Sequence, residues 1–109
     1  MGAHVIVNLY DCDISKLEYV KEIKEILDSI VGEAKLTRLG EAYHQFKPTG
    51  ATGVVLLSES HLSIHTWPEY NAAAVDIFCC SGLEDAEKAF SVLIEKFKPC
   101  RFRKKIVKR

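Results

Sequence analysis

A chain of 109 residues fits one domain, able to bury about two thirds of the surface its unfolded form exposes, so its core needs neither metal nor disulfide. Fifteen basic and fifteen acidic side chains cancel, which argues against a nucleic acid or a membrane surface held by bulk charge and leaves a small polar or zwitterionic ligand as partner. The segment after Met1, "GAHVIVNLY", has no basic leader, and no apolar run approaches the roughly 18 residues of a membrane span, so a soluble, cytoplasmic protein is expected.

"HVIVNLY" (residues 4–10) alternates Val5, Val7 and Leu9 against Ile6, Asn8 and Tyr10 and reads as a first strand. Ser15-Lys16-Leu17-Glu18 has the form of a capping box, and Leu17, Val20, Ile23, Ile26/Leu27 and Ile30 follow at helical spacing. The pattern predicts an amphipathic helix of about four turns, stopped by Gly32. Residues 34–46 read as a strand bent at Gly40, ending before a loop marked by Pro48, Gly50 and Gly53. "GVVLL" (53–57), "HLSIHTW" (61–67) and "AAAVDIFCC" (72–80) are further strand-like runs. Ser81-Gly82-Leu83-Glu84 is a second capping box, opening a helix with Ala86, Ala89/Phe90, Leu93/Ile94 and Phe97 on one side and closed by Pro99. "CRFRKKIVKR" finishes as a basic edge strand, whose Arg101, Arg103, Lys104, Lys105, Lys108 and Arg109 protect an edge more readily than they bind a polyanion.

Taken as β-α-β-β-β-α-β, this order predicts an α+β, two-layer sandwich: a mainly antiparallel sheet with two helices on one face, ferredoxin-like or related. The other face of such a sheet needs a cover, and a second copy of the chain is the simplest one. Cys12, Cys79, Cys80 and Cys100 show neither C-x-x-C nor Cys/His zinc spacing, so free thiols packed as small hydrophobes are expected.

The polar chemistry concentrates in "SESHLSIHTWPEY" (58–70). In an extended segment His61, Ser63 and His65 share one face while Leu62 and Ile64 take the other. A proton carrier, a hydroxyl and flanking carboxylates then lie together on a sheet surface. Conventional Ser-His-acid hydrolysis lacks its G-x-S-x-G elbow here. His61 and His65 on a strand lie about 13 Å apart, too far to share a metal, and no metal is expected.

That segment, with "YDCD" (10–13), "HQFKPTGATGVV" (44–55) and "AAVDIFCC" (73–80), resembles in order the small bacterial and archaeal S-adenosylmethionine decarboxylase family, whose members are pyruvoyl enzymes of polyamine synthesis. The resemblance implies self-cleavage between Glu59 and Ser60, into a β chain of residues 1–59 and an α chain of residues 60–109 whose first residue becomes the pyruvoyl group. It further implies His65 as the base of processing and Thr52, in "GATG", as the hydroxyl that steadies the tetrahedral intermediate, where many members carry Ser. The self-made ketone of residue 60 would form a Schiff base with the substrate amine and act as electron sink, with no external cofactor. Cys80 would return the proton to the substrate carbon, with Cys79 on the opposite strand face and core.

For the substrate, the resemblance implies adenine stacked by Phe46 with His65, ribose hydroxyls held by Glu69, and a pocket shaped or touched by Trp67. It implies a homodimer in which two processed protomers share each active site. Asn8 departs from the acidic residue many members carry in the first strand. Two other readings stand beside this one: the same pyruvoyl machinery acting on arginine or ornithine, and a non-catalytic binding paralogue. Phe46 and Glu69 favour a nucleoside substrate over the first, and the presence of Ser60, Thr52, His65 and Cys80 disfavours the second. Ser63 has no assigned role.

Overall fold

The computed structural model describes all 109 residues. Six strands, β1 (Ala3–Tyr10), β2 (Arg38–Gln45), β3 (Ala51–Leu57), β4 (Ser60–Trp67), β5 (Ala72–Cys79) and β6 (Arg101–Lys108), form one antiparallel sheet in the order β2-β3-β4-β5-β1-β6. Helices α1 (Val20–Glu33) and α2 (Leu83–Phe97) pack on one face, α1 over β2 and β3 and α2 over β1 and β5. Four strands lie between the helices, one for each of the four strand-like runs in residues 34–80, so the order β-α-β-β-β-α-β is one strand short; a two-residue turn at Ser58 and Glu59 folds residues 51–67 into a tight hairpin. No helix is long and apolar enough to cross a membrane.

Strand alternation decides which side chains enter the core. Val5, Val7 and Leu9 of β1, Leu62 and Ile64 of β4, and Val75 and Ile77 of β5 point at the helices and are buried. They meet Ile23, Leu27 and Ile30 of α1 and Ala86, Ala89, Leu93 and Phe97 of α2, the stripes expected from helical spacing. The opposite face carries Ile6, Leu56 and Trp67 with little cover. β6 is an edge strand, as its basic composition suggests, and β2 bends by a register shift between Arg38 and Gly40.

The helix ends differ from the local signals. Ser15 lies in a short 3₁₀ turn (Ile14–Lys16) capped by Asp13, whose carboxylate accepts from the Ser15 amide. The long helix begins only at Val20, whose N–H donates to Gln45 Oε1 at 2.7 Å, so a strand residue caps α1 in place of the expected box. α1 also runs through Gly32 to Glu33 and turns at Lys35, φ 57°. At the second box Ser81 donates to Asp85, and Gly82 is an N-cap without a side-chain bond.

Gly53 is required by packing: a Cβ there would lie 2.6 Å from Cε1 and 2.7 Å from Cδ1 of Tyr43, whose ring fills that place between sheet and α1. Gly53→Ala is expected to cost about 1–3 kcal/mol, as overpacking does. The check is a thermal melt, with a fall in Tm of about 5 °C or more.

Candidate active site

The residues singled out in the sequence collect at the two ends of β4. At its start, the Glu59–Ser60 peptide bond sits in the β3–β4 turn, held where the Ser58 N–H donates to Thr37 O at 3.0 Å. The carbonyl of Glu59 accepts a hydrogen bond from the Cys80 amide at 3.1 Å, across from the end of β5. A cleft of about 160 Å³ opens beside the bond, lined among others by Lys35, Thr37, Ser58, Ser60 and Asp85. Ser60 lies directly opposite Cys79 in the β4–β5 register, and the two side chains leave the sheet on the same side. Cys79 is fully buried and burial pushes its thiol pKa up; Cys80 is exposed and borders a different cleft, of about 530 Å³, with Gly2, Leu83, Lys108 and Arg109. Cys79 is thus a core residue, as expected, yet it is also the β5 register partner of Ser60.

At the far end, Thr52 and His65 are register partners on the uncovered face, with Thr52 Oγ1 and His65 Nδ1 hydrogen-bonded at 2.6 Å. The His65 ring lies 5.6 Å from that of Phe46 and 4.3 Å from that of Trp67, centroid to centroid. Phe46, Lys47, Pro48, His65, Trp67 and Glu69 line a cleft of about 280 Å³. An aromatic floor, an imidazole and a carboxylate at its rim suit a flat base carrying a diol. Asn8 belongs to the same row of the open face as Thr52, His65 and Ala74. Ser63 faces outward beside Asp76.

Two supporting residues had no signal of their own in the sequence. Gln45 Nε2 donates to the carbonyls of Glu18, Phe46 and Gly50, tying the loop that carries Phe46 to the start of α1. Thr66, buried at 3% exposure, accepts from the Ala51 amide and donates to Leu17 O at 2.8 Å, which fixes the strand between His65 and Trp67. Both act through contacts distant in sequence, so no local pattern could have shown them.

The two ends do not meet within one chain. His65 lies five residue steps beyond Ser60, about 16 Å at the rise of a strand, and the odd spacing puts them on opposite faces of the sheet.

An antiparallel sheet with helices on one side, an uncovered face and polar clusters at the two ends of one strand defines a two-layer α+β protein. The family model described as S-adenosylmethionine decarboxylase matches residues 3–109, so the chain belongs to the S-adenosylmethionine decarboxylase family. It is 45% identical over 109 residues to the S-adenosylmethionine decarboxylase proenzyme of Sulfurihydrogenibium sp., covering 100% of this chain and 82% of the relative. The proenzyme of Archaeoglobus fulgidus is 42% identical, covering 100% and 97%. The crystal structure of adenosylmethionine decarboxylase from Aquifex aeolicus superposes with a TM-score of 0.96 at 41% identity, covering 100% of this chain and 90% of that one. A Trypanosoma brucei AdoMetDC chain shares the fold alone, with a TM-score of 0.72 at 16% identity over 95% of this chain and 45% of the other.

Proposed function

We propose that this chain is a self-processing, pyruvoyl-dependent decarboxylase that converts S-adenosylmethionine to its decarboxylated form and carbon dioxide, supplying an aminopropyl donor for spermidine and other polyamines. The observation that carries this reading is the Glu59–Ser60 bond itself. It lies in a turn, with a hydroxyl on one side of the bond and a carbonyl already hydrogen-bonded by the Cys80 amide on the other, inside a family whose relatives are named proenzymes.

In processing, Ser60 Oγ attacks the Glu59 carbonyl carbon. The amide N–H of Cys80 and the hydroxyl of Thr52 receive the oxyanion. The C–N bond breaks to leave an ester, and His65 takes the Ser60 α-proton so that Glu59 departs as a carboxylate. The dehydroalanine then hydrolyses with loss of ammonia, leaving chains of residues 1–59 and 60–109. A pyruvoyl group at residue 60, held at the start of β4, would supply the electron sink for the loss of carbon dioxide from the substrate. Phe46 and His65 stack the adenine, Trp67 closes the cleft, Glu69 accepts the ribose hydroxyls, and Cys80 supplies the proton to the substrate carbon.

Because Ser60 and His65 of one chain point to opposite faces about 16 Å apart, we infer that the active unit is a homodimer. Each site then joins the Ser60 end of one protomer to the Thr52–His65 end of the other. The exposed Ile6, Leu56 and Trp67 support a second copy as the cover of the open face. Four thiols without a disulfide suit a cytoplasmic enzyme.

The test is intact mass followed by decarboxylation assays with carboxyl-labelled S-adenosylmethionine, arginine and ornithine. Two fragments and labelled carbon dioxide from the nucleoside alone are expected. Release from an amino acid instead would overturn the substrate, and a persistently uncleaved, inactive chain would overturn the enzyme. Glu69→Ala is expected to raise KM for S-adenosylmethionine by about 10- to 100-fold, the worth of a charge-assisted hydrogen bond, with cleavage unaffected. Steady-state kinetics of the cleaved variant checks this.

A further inference from the structure

We propose that Cys79 is a positioning residue for the self-cleavage: its thiol donates to Ser60 Oγ and holds the hydroxyl against the Glu59 carbonyl. This rests on the reading of Ser60 as the residue that cleaves the chain. Three observations carry it. Cys79 is the direct register partner of Ser60 across β4 and β5, on the same side of the sheet, where facing side chains lie about 5 Å apart. It is fully buried, and Ser60 opposite it is partly buried. The next residue, Cys80, donates its backbone N–H to the Glu59 carbonyl at 3.1 Å. The Cys79–Cys80 pair therefore flanks both reacting groups, the thiol on the nucleophile's side and the amide on the electrophile.

The chemistry suits a neutral thiol. Burial raises the Cys79 pKa, so at neutral pH it remains S–H, a weak donor rather than a nucleophile able to add to the ketone formed beside it. An S–H···Oγ bond fixes χ1 of Ser60 and leaves the hydroxyl's own proton free to depart. In the step it serves, the Oγ–C bond to Glu59 forms as the C–N bond breaks, and the hydroxyl proton ends on the freed nitrogen of Ser60. No co-reactant is needed.

The test compares Cys79→Val, of similar size without a donor, with Cys79→Ser, which keeps one. Cleavage is followed by intact mass, with and without hydroxylamine, which cuts esters far faster than amides. Cys79→Val is expected to cleave about 10- to 100-fold more slowly than the parent, the cost of a nucleophile misplaced by about 1 Å, with no hydroxylamine-sensitive ester accumulating. Cys79→Ser is expected to cleave within about threefold of the parent. Cys79→Ala repeats the comparison should valine prevent folding, judged by circular dichroism. Cleavage of Cys79→Val or Cys79→Ala at the parental rate would overturn the proposal, as would equal slowing of Cys79→Ser, or an ester that accumulates. Failure of the parent to cleave would instead overturn the reading of Ser60.

Discussion

Mixing two inactive chains is expected to restore an active enzyme. Neither Ser60→Ala, which lacks the cleaving hydroxyl, nor His65→Ala, which lacks the base, should process alone. In a mixed dimer the intact Ser60 of the His65→Ala chain meets the intact His65 of the Ser60→Ala chain. Random pairing of equal amounts makes half the dimers mixed, and each holds one complete site, so about one quarter of the parental sites should form. Intact mass identifies which chain is cut: fragments should come only from the His65→Ala chain. The prediction follows from strand geometry. Ser60 points with Leu62 and Ile64 toward the helices, whereas His65 stands on the uncovered face beside Thr52, about 16 Å along β4. Were His65 to act within its own chain, β4 would have to unravel, and the mixture would be as silent as its components.

The same strand shows how far the sequence could be read. Alternation in "HLSIHTW" was enough to send Leu62 and Ile64 into the core and His61, Ser63 and His65 to the other face. The motif, however, places Ser60 and His65 in one short string, and only the rise per residue sets them toward the two ends of β4. The start of α1 was misread for a different reason. Ser15 and Glu18 satisfy a local capping rule, but the amides of the helix find Gln45, 25 residues beyond Val20, through a hydrogen bond that exists only once β2 lies beside the helix. Gly53 was legible as a loop marker and proves to be a packing residue under Tyr43, because a clash between strands has no trace in local composition. Cys79 was legible as core, and its place opposite Ser60 awaited the β4–β5 register.

Thr52→Val is expected to slow self-cleavage by about 10²- to 10³-fold, the loss seen when a single oxyanion donor is removed, while leaving the fold intact, since valine matches threonine in shape and suits a strand. One proton occupies the 2.6 Å contact between Thr52 Oγ1 and His65 Nδ1. If the hydroxyl gave it, Nδ1 would be the acceptor and Nε2 would carry the ring's hydrogen, useless as a base. With Nδ1–H donating to the hydroxyl, Nε2 is left with its lone pair, and the hydroxyl hydrogen is free to point at the developing oxyanion. A single arrangement thus satisfies both duties, and valine removes both at once. Thr52→Ser retains the hydroxyl without the methyl that restricts its rotamer, and its cleavage should stay within about tenfold of the parent. Time courses of intact mass on refolded chains separate these outcomes, with circular dichroism as the control for folding. Parental cleavage by Thr52→Val would remove Thr52 from the chemistry and leave its contact with His65 as a surface hydrogen bond.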